Sequence, residues 1–416
     1  MTTLAIVVFW FIVSVVAAQA VLGIGFVREL AKSKPSAHEK CPKVAVVLCL
    51  RGADPFLNRC IRALLEQDYP DFEVRIVVDD ELDPAWQVVH EILDDVAPSS
   101  VTAALLKDAV RTCSLKCSSV AQAIRELDSS FEVVALLDAD TIAHPSWLGE
   151  LVAPLDNPQV GVATGNRWYM PEQPSLGSMV RYCWNAAAVV IMYWCNIAWG
   201  GSLAIKRSAI ERADLLTHWE KAFCEDTMLF AMLRKHGLRQ VFVPSLMMVN
   251  RESCSLRGAY HWISRQLLTA RLYHPGWLLT VLHCMASVTA PLLALGTLVT
   301  AMVLQNHAAM AWSLGGFLLF QAAWIALLIP IEWSLGRIVS SRSEPTRWWT
   351  SAAIITMPLA VAMTQLVYPI TLLRATFLNT VEWRGIHYEV AGPWNIRFRK
   401  RVPYQQRNQK DAVQSL

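Results

Sequence analysis

Charge is what this sequence has least of. Only 17% of its 416 residues are Asp, Glu, Lys or Arg, against roughly 25% in average soluble domains. With 54% of the chain hydrophobic, that scarcity excludes intrinsic disorder, which needs low hydrophobicity and high charge. It also argues against a wholly soluble protein. A formal net charge of +3, with no basic stripe interleaved with aromatics, excludes a nucleic-acid partner. Patterned cysteine is missing as well. None of the ten cysteines forms a CxxC pair, and Cys113 and Cys117 have no neighbouring His. Neither a zinc cage nor a disulfide framework is read from them. They suit small apolar packing residues in a reducing compartment.

Charge vanishes altogether from four runs long enough to cross a bilayer: residues 4–27, 277–304, 309–331 and 352–373. The first lacks the basic start and the small-residue cleavage pattern of a signal peptide. Arg28, Lys32, Lys34, Lys40 and Lys43 follow it, so the positive-inside rule makes it an anchor with the following chain cytoplasmic. The expected organisation is an N-terminal transmembrane anchor over 1–27 and a cytoplasmic α/β domain over 40–275. Membrane segments over 277–378 and a cytoplasmic basic tail over 379–416 complete it. That count contains a conflict. Three crossings after an inside domain would export the C-terminus, yet Arg337, Arg342 and Arg347 precede the last run and Arg397, Arg399, Lys400 and Arg401 follow it. Pro358 and Pro369 interrupt the run, which is expected to turn back or lie at the interface rather than cross.

Between the anchor and the later apolar runs the texture changes. Residues 44–50, 73–79, 101–106 and 133–137 read as buried strands, and 55–67, 83–95 and 118–127 as the helices between them. That alternation predicts a largely parallel sheet with βαβ crossovers. Strands over 160–168 and 240–243 and a helix over 225–236 are expected further on. The uncharged stretch 186–205 is read as a helix against the membrane surface that runs into a buried strand, with Gly200, Gly201 and Ser202 making the turn. The polar stretch 405–416 is expected to be disordered.

Three acidic clusters fall at strand ends, where open α/β sheets bind ligands. They are Asp79-Asp80, Asp138-Ala139-Asp140 and Glu225-Asp226. On an extended segment positions i and i+2 point to one side, so Asp138 and Asp140 can face one ligand. Two carboxylates completed by diphosphate oxygens and water make the hard oxygen site favoured by Mg²⁺ or Mn²⁺.

These acids, in this order and followed by a basic aromatic helix, resemble those of family 2 glycosyltransferases with the GT-A fold. Within that family the chain is most similar to the membrane-bound ceramide glucosyltransferase-like branch, through "EQDYPDFEV", "GGSLAIKRS" and "VEWRGIHYEV". The resemblance implies an α/β GT-A (Rossmann-like) catalytic domain joined to transmembrane α-helices. It assigns Asp80 to the uracil or ribose of a nucleotide sugar, Asp138 to a place along the nucleotide and Asp140 to the metal. Asp226 becomes the general base, and Lys116 falls where relatives carry a basic donor-side residue. Arg271, in "HWISRQLLTARLYHP", fits the arginine of the family's (Q/R)xxRW motif, as a diphosphate contact or an arginine snorkelling at the interface. Leu272 and Leu268 depart from that motif. Trp383 and Arg384 in "WRGIHY" return beside the active site in relatives.

The resemblance implies a metal-dependent, inverting transfer of a hexose, glucose from a UDP donor, to a hydroxyl of a membrane lipid. A carboxylate must accept the acceptor's proton, and a metal ion steadies the departing diphosphate. One base without a second nucleophile implies single displacement. A processive polysaccharide synthase is the first rival, and Leu272 in place of Trp argues against it. A non-enzymatic scaffold or transporter is the second. It would leave acids at three strand ends without a use, and the apolar runs hold no ionisable residue but His283.

Overall fold

The first apolar run forms α1 (Thr2–Ala31) in a computed structural model that describes residues 1–32, 40–96, 100–346, 349–402 and 404. Lys34, Arg347 and the stretch 405–416, for which disorder was expected, lie outside the described residues. After α1 the chain alternates as anticipated: β1 (Val44–Leu50), α2 (Leu57–Leu65), β2 (Phe72–Val78), α3 (Pro84–Val96), β3 (Val101–Leu105), α4 (Leu115–Arg125) and β4 (Val133–Leu137). Every residue of β4 is buried, which is why it reads as an unbroken apolar run. Next come α5 (Trp147–Val152), β5 (Val160–Tyr169), α6 (Leu176–Cys195), β6 (Ser202–Lys206), α7 (Arg207–Arg212), α8 (Leu215–Trp219), α9 (Leu229–Lys235) and β7 (Arg239–Asn250).

The seven strands make one sheet in the order β3-β2-β1-β4-β6-β5-β7. β1 to β4 pair in parallel, β6 runs antiparallel between β4 and β5, and β7 is parallel to β5. This is the GT-A class of α/β fold that was expected. β7 is longer than its sequence suggested because Pro244 breaks the apolar pattern. The pairing with β5 shifts register between Thr164 and Asn166 to accommodate that interruption. Beyond it the strand continues to Asn250, whose side chain reaches Asp140.

α10 (Leu256–Tyr273), α11 (Trp277–Val303), α12 (His307–Ser340) and α13 (Ser351–Phe377) complete the helices. α1, α11, α12 and α13 are long and apolar enough to cross a membrane. The first three pack together, with Thr2 Oγ1 donating to Asn306 Oδ1 at their far end (3.2 Å). α12 is fastened to the sheet by Glu332, which accepts from Trp168 Nε1 (2.8 Å) and the Tyr182 hydroxyl (2.7 Å).

α13 behaves differently. It remains one helix through Pro358 and Pro369, so the expectation that those prolines turn it back is corrected. Instead it packs along α6 and α10. Arg342 Nη1 bonds Met247 O (3.3 Å) and Arg251 bonds Pro345 O before it, while Arg271 Nη2 bonds Leu378 O (2.9 Å) after it. A helix of 27 residues is about 40 Å long, yet both flanks touch the α/β domain.

The expected basic tail is corrected too. β8 (Thr380–Trp383), β9 (Ile386–Gly392) and β10 (Asn395–Phe398) form an antiparallel sheet. Ile386, Tyr388, Val390, Ile396 and Phe398 alternate onto one face and join the core beneath α4. The stretch 380–398 is therefore part of the folded α/β body.

Candidate active site

A cavity of 260 Å³ opens at the carboxyl ends of β1 and β4 and runs on between α6, α10, α11, α12 and α13. Asp138 and Asp140 both line it. They do so from a turn closed by Thr141 N on Asp138 O (3.0 Å), not from the extended segment anticipated. Asp138 Oδ1 takes Lys116 Nζ at 2.6 Å, and the same ammonium lies 2.6 Å from Glu225 Oε1. Ser114 caps α4 by accepting from Cys117 N, which sets Lys116 in the first turn, facing the acids.

One ammonium serves two buried carboxylates unequally. Burial opposes ionisation of Asp138, but Lys116, with Arg167 and Arg384, holds its carboxyl below the ordinary value. Burial pushes Glu225 up to about 7 despite Lys116, and the negative charges of Asp226 and Asp138 add to the rise. Asp140 is pushed up to about 6 by burial and by Asp138. Asn250 Nδ2 donates to its Oδ2 (3.2 Å), and Arg167 Nη1 is 3.9 Å away.

Among the described residues no cluster of three or more His, Cys, Asp or Glu could cage a metal ion by itself. The donor set still fits one. A buried hard carboxylate suits Mg²⁺ or Mn²⁺ when phosphate oxygens and water complete the shell. Asp140, with Asp138 beside it, would hold that ion.

Asp226 sits across the cavity. Its Oδ2 accepts from Gly200 N (2.8 Å), and its Oδ1 from Thr227 N (2.6 Å) and Thr227 Oγ1 (2.9 Å). Three donors therefore fix one carboxylate. The approach needs glycine: a Cβ on Gly200 would lie 2.0 Å from Glu225 Oε1, and one on Gly201 2.6 Å from Asp138 Oδ2. Asn196, in the left-handed conformation at φ 54°, ends α6 and lets the chain turn through Trp199-Gly200-Gly201 into β6. The helix, turn and strand read from 186–205 are all present, and their purpose is to bring backbone against the acids.

Two assigned residues are displaced. Asp80 is not among the residues that line the cavity and accepts from Leu82 N (3.0 Å), whereas its neighbour Asp79 is buried and lines it. Asp79 pairs with Arg51 and with Arg401 Nε (3.2 Å). Arg271 is engaged by the carbonyls of Thr376 and Leu378 at the C-terminal end of α13. Arg265, on the same helix, lines the cavity in its place, with its guanidinium 5.0 Å from the Trp383 ring. Burial, with Arg384 and Arg167 nearby, lowers its pKa to about 10. Among the described residues it has no carboxylate partner within 4.0 Å.

Trp383 and Arg384 do reach the cavity. Arg384 (φ 47°) and Gly385 (φ 77°) join β8 to β9, the paired positive angles of a type I′ hairpin. A non-glycine residue held there is strained. Its guanidinium binds both oxygens of Asp54 (3.1 and 2.8 Å). Sequence reasoning missed Arg51, Asp54, Arg167 and Asn250, which lie outside every motif. It also read the absence of Trp at position 272 as the loss of an aromatic platform. Leu272 is buried, and Trp262 and Trp383 line the cavity.

A family model described as glycosyl transferase family 21 matches residues 6–394. A ceramide glucosyltransferase of Gibberella zeae is 24% identical over 159 residues, 36% of this chain and 30% of that protein. The match thus spans under a third of that relative's length. A mannosyltransferase from Pyrobaculum calidifontis, solved with GDP-Man and Mn²⁺, has 17% identity and a TM-score of 0.46, covering 86% of this chain and 99% of its own. A glucosyl-3-phosphoglycerate synthase from Mycobacterium tuberculosis, solved with Mn²⁺ and UDP-glucose, has 16% identity and a TM-score of 0.36, covering 60% and 85%.

Proposed function

The chain belongs to glycosyltransferase family 21, and on that premise we propose that it moves one hexose, glucose from UDP-glucose, to a hydroxyl of a membrane lipid with inversion. The observation that carries this reading is the cavity itself. Its carboxylates and guanidinium groups continue without a break into a wall built by α11, α12 and α13. A water-soluble donor and a lipid acceptor need such a junction.

In this reading Asp226 takes the proton from the attacking hydroxyl. Gly200 N and Thr227 aim its carboxylate, and positioning of this kind is what general-base catalysis requires. Arg265 and Arg384 face the diphosphate, where planar guanidinium groups bind phosphate oxygens well. Asp79 and Arg51 flank the nucleoside end. Mg²⁺ or Mn²⁺ held by Asp140 would neutralise charge on the departing nucleoside diphosphate. Lys116 keeps Asp138 ionised beside it. No second carboxylate is needed as a nucleophile, so displacement in one step inverts the anomeric centre. We place the α/β body and the β8–β10 sheet on the cytoplasmic face, where Arg28 in the last turn of α1 and Lys32 and Lys43 after it satisfy the positive-inside rule.

The test is transfer of labelled glucose from UDP-glucose to a lipid panel by purified protein in nanodiscs. The expected product carries a single hexose with β anomeric coupling. Asp226→Asn should lower turnover about 10²–10⁴-fold with donor binding retained, and chelation should stop transfer until Mg²⁺ or Mn²⁺ is returned. A ladder of hexose increments would favour the processive synthase, and wild-type turnover by Asp226→Asn would remove its role as base.

A further inference from the structure

Arg167, on β5, belongs to no sequence motif and is given no substrate contact in the reading above, yet it lines the cavity. Aromatic rings from three places in the fold surround its guanidinium. The central carbon lies 5.4 Å from the ring of Tyr169 on β5, 5.1 Å from Trp199 in the turn before β6 and 5.1 Å from Trp262 on α10. All three are within cation–π range. Arg181 lies 4.1 Å from the same Tyr169 ring and pairs with Glu252 at 3.1 Å, so a wall of the cage is itself braced.

Rings steady a cation but offer no oxygen to its N–H groups. Arg167 is only 9% exposed, and its Nε is buried without a partner among the described residues. Asp140 Oδ2 stands 3.9 Å from Nη1. At that separation the charges attract, but no hydrogen bond forms. A buried donor left unpaired is costly, more so when charged, and native proteins rarely keep one without a ligand or another reason.

Position narrows the choice of ligand. Arg265 and Arg384 already face the diphosphate. Arg167 lies between Asp140 and the Trp199-Gly200 turn, whose Gly200 amide holds the base Asp226. Its Trp262 neighbour runs on through Trp184 (5.4 Å) to Tyr368 of α13 (6.3 Å). The cage therefore stands where the acids give way to the apolar helices, on the path of an acceptor that reaches Asp226 from the membrane.

We propose that the Arg167 cage binds an anionic oxygen group, a phosphate or a carboxylate, that the lipid acceptor carries close to the hydroxyl being glycosylated. This rests on the lipid-glycosylating reading above and adds to it the charge of the acceptor. A planar guanidinium gives such a group two parallel N–H bonds, a match that a neutral hydroxyl cannot make. The donor's own diphosphate is the rival anion.

The experiment uses acceptor pairs that differ only in charge: phosphatidylglycerol against its phosphate methyl ester, and an N-acylserine against its carboxyl methyl ester. The wild-type protein in nanodiscs should favour the charged member of at least one pair in kcat/KM, by about tenfold to a hundredfold, the usual value of a charged hydrogen bond. The pair that responds tells phosphate from carboxylate. Arg167→Met should bring that ratio to about one, and Arg167→Lys, which keeps the charge and loses the fork, should restore part of it. Affinity for UDP, read by calorimetry, should be kept in both variants. A wild-type protein that prefers neither charged member would overturn the proposal without any variant. So would an Arg167→Met protein that keeps the ratio, whether or not its UDP affinity falls; a fall would assign Arg167 to the diphosphate instead. A wild-type protein that binds UDP but glycosylates no lipid at all, charged or neutral, would bring down the functional reading itself.

Discussion

Lys116 shows how a single side chain divides a site's charge. Two carboxylates lie 2.6 Å from its ammonium, and one positive charge cannot offset both. Asp138 gains further help from Arg167 and Arg384 and is held below its ordinary value, while Glu225 is left raised by burial. Because folding lifts Glu225 from an ordinary 4.5 to about 7, its protonated form favours the folded state. That contribution is complete below pH 4.5 and is lost as pH rises through about 7. Thermal unfolding in detergent should therefore show a midpoint that falls across this window. Glu225→Gln cannot ionise, and its midpoint should change less steeply over the same range. An unchanged slope would mean that Glu225 is ionised throughout.

At the scale of elements, the turn before β6 and the helix α10 each decide which groups meet the substrate. Gly200 has no side chain because Glu225 Oε1 occupies the place a Cβ would take, 2.0 Å away. Gly200→Ala should push Glu225 and Asp226 aside together. A displacement near 1 Å can cost about 10²-fold in rate, so kcat should fall by that order while the sheet, and hence the far-ultraviolet circular dichroism, is kept. α10 presents Arg265 to the cavity and turns Arg271 to the carbonyls at the C-terminal end of α13. Substituting each in turn separates their roles. Arg265→Met should raise the KM for donor with little change in melting temperature. Arg271→Met should lower stability by roughly 1–3 kcal/mol, the usual cost of removing a charged hydrogen-bond partner, and leave donor KM unchanged. The reverse pattern would restore Arg271 to the diphosphate.

For the whole molecule the decisive feature is the course of α13. In the proposed topology α1, α11 and α12 cross while α13 packs along α6 and α10, which puts the α/β body and the β8–β10 sheet on one side. Arg397, Arg399 and Lys400 then satisfy the charge rule that a fourth crossing would violate. In a background stripped of native cysteines, Ala308→Cys at the far turn should react with a membrane-impermeant reagent on intact cells. Arg399→Cys, exposed just past β10 and cytoplasmic in the proposed topology, should react only after permeabilisation. Labelling of both in intact cells would mean that α13 crosses.

Much of this was written locally. Uncharged runs reveal long apolar helices, unbroken Val and Leu stretches reveal the parallel strands, and acids at strand ends announce Asp138, Asp140 and Asp226, because each signal is carried by neighbours in the chain. Lys116, Trp383 and Arg384 were legible through motifs for the same reason. What the sequence could not determine depends on partners far along it. Asp79 rather than Asp80 enters the cavity because Arg51 and Arg401 hold it there. Arg265 replaces Arg271 because the carbonyls at the end of α13 claim the latter. Arg167 and Asn250 reach Asp140 only once β5 and β7 lie side by side. The supposed tail becomes a sheet because its alternate apolar residues find the face beneath α4. Composition and periodicity determined the parts, and through-space contacts decided which side chains face the cavity and on which side of the apolar helices they meet.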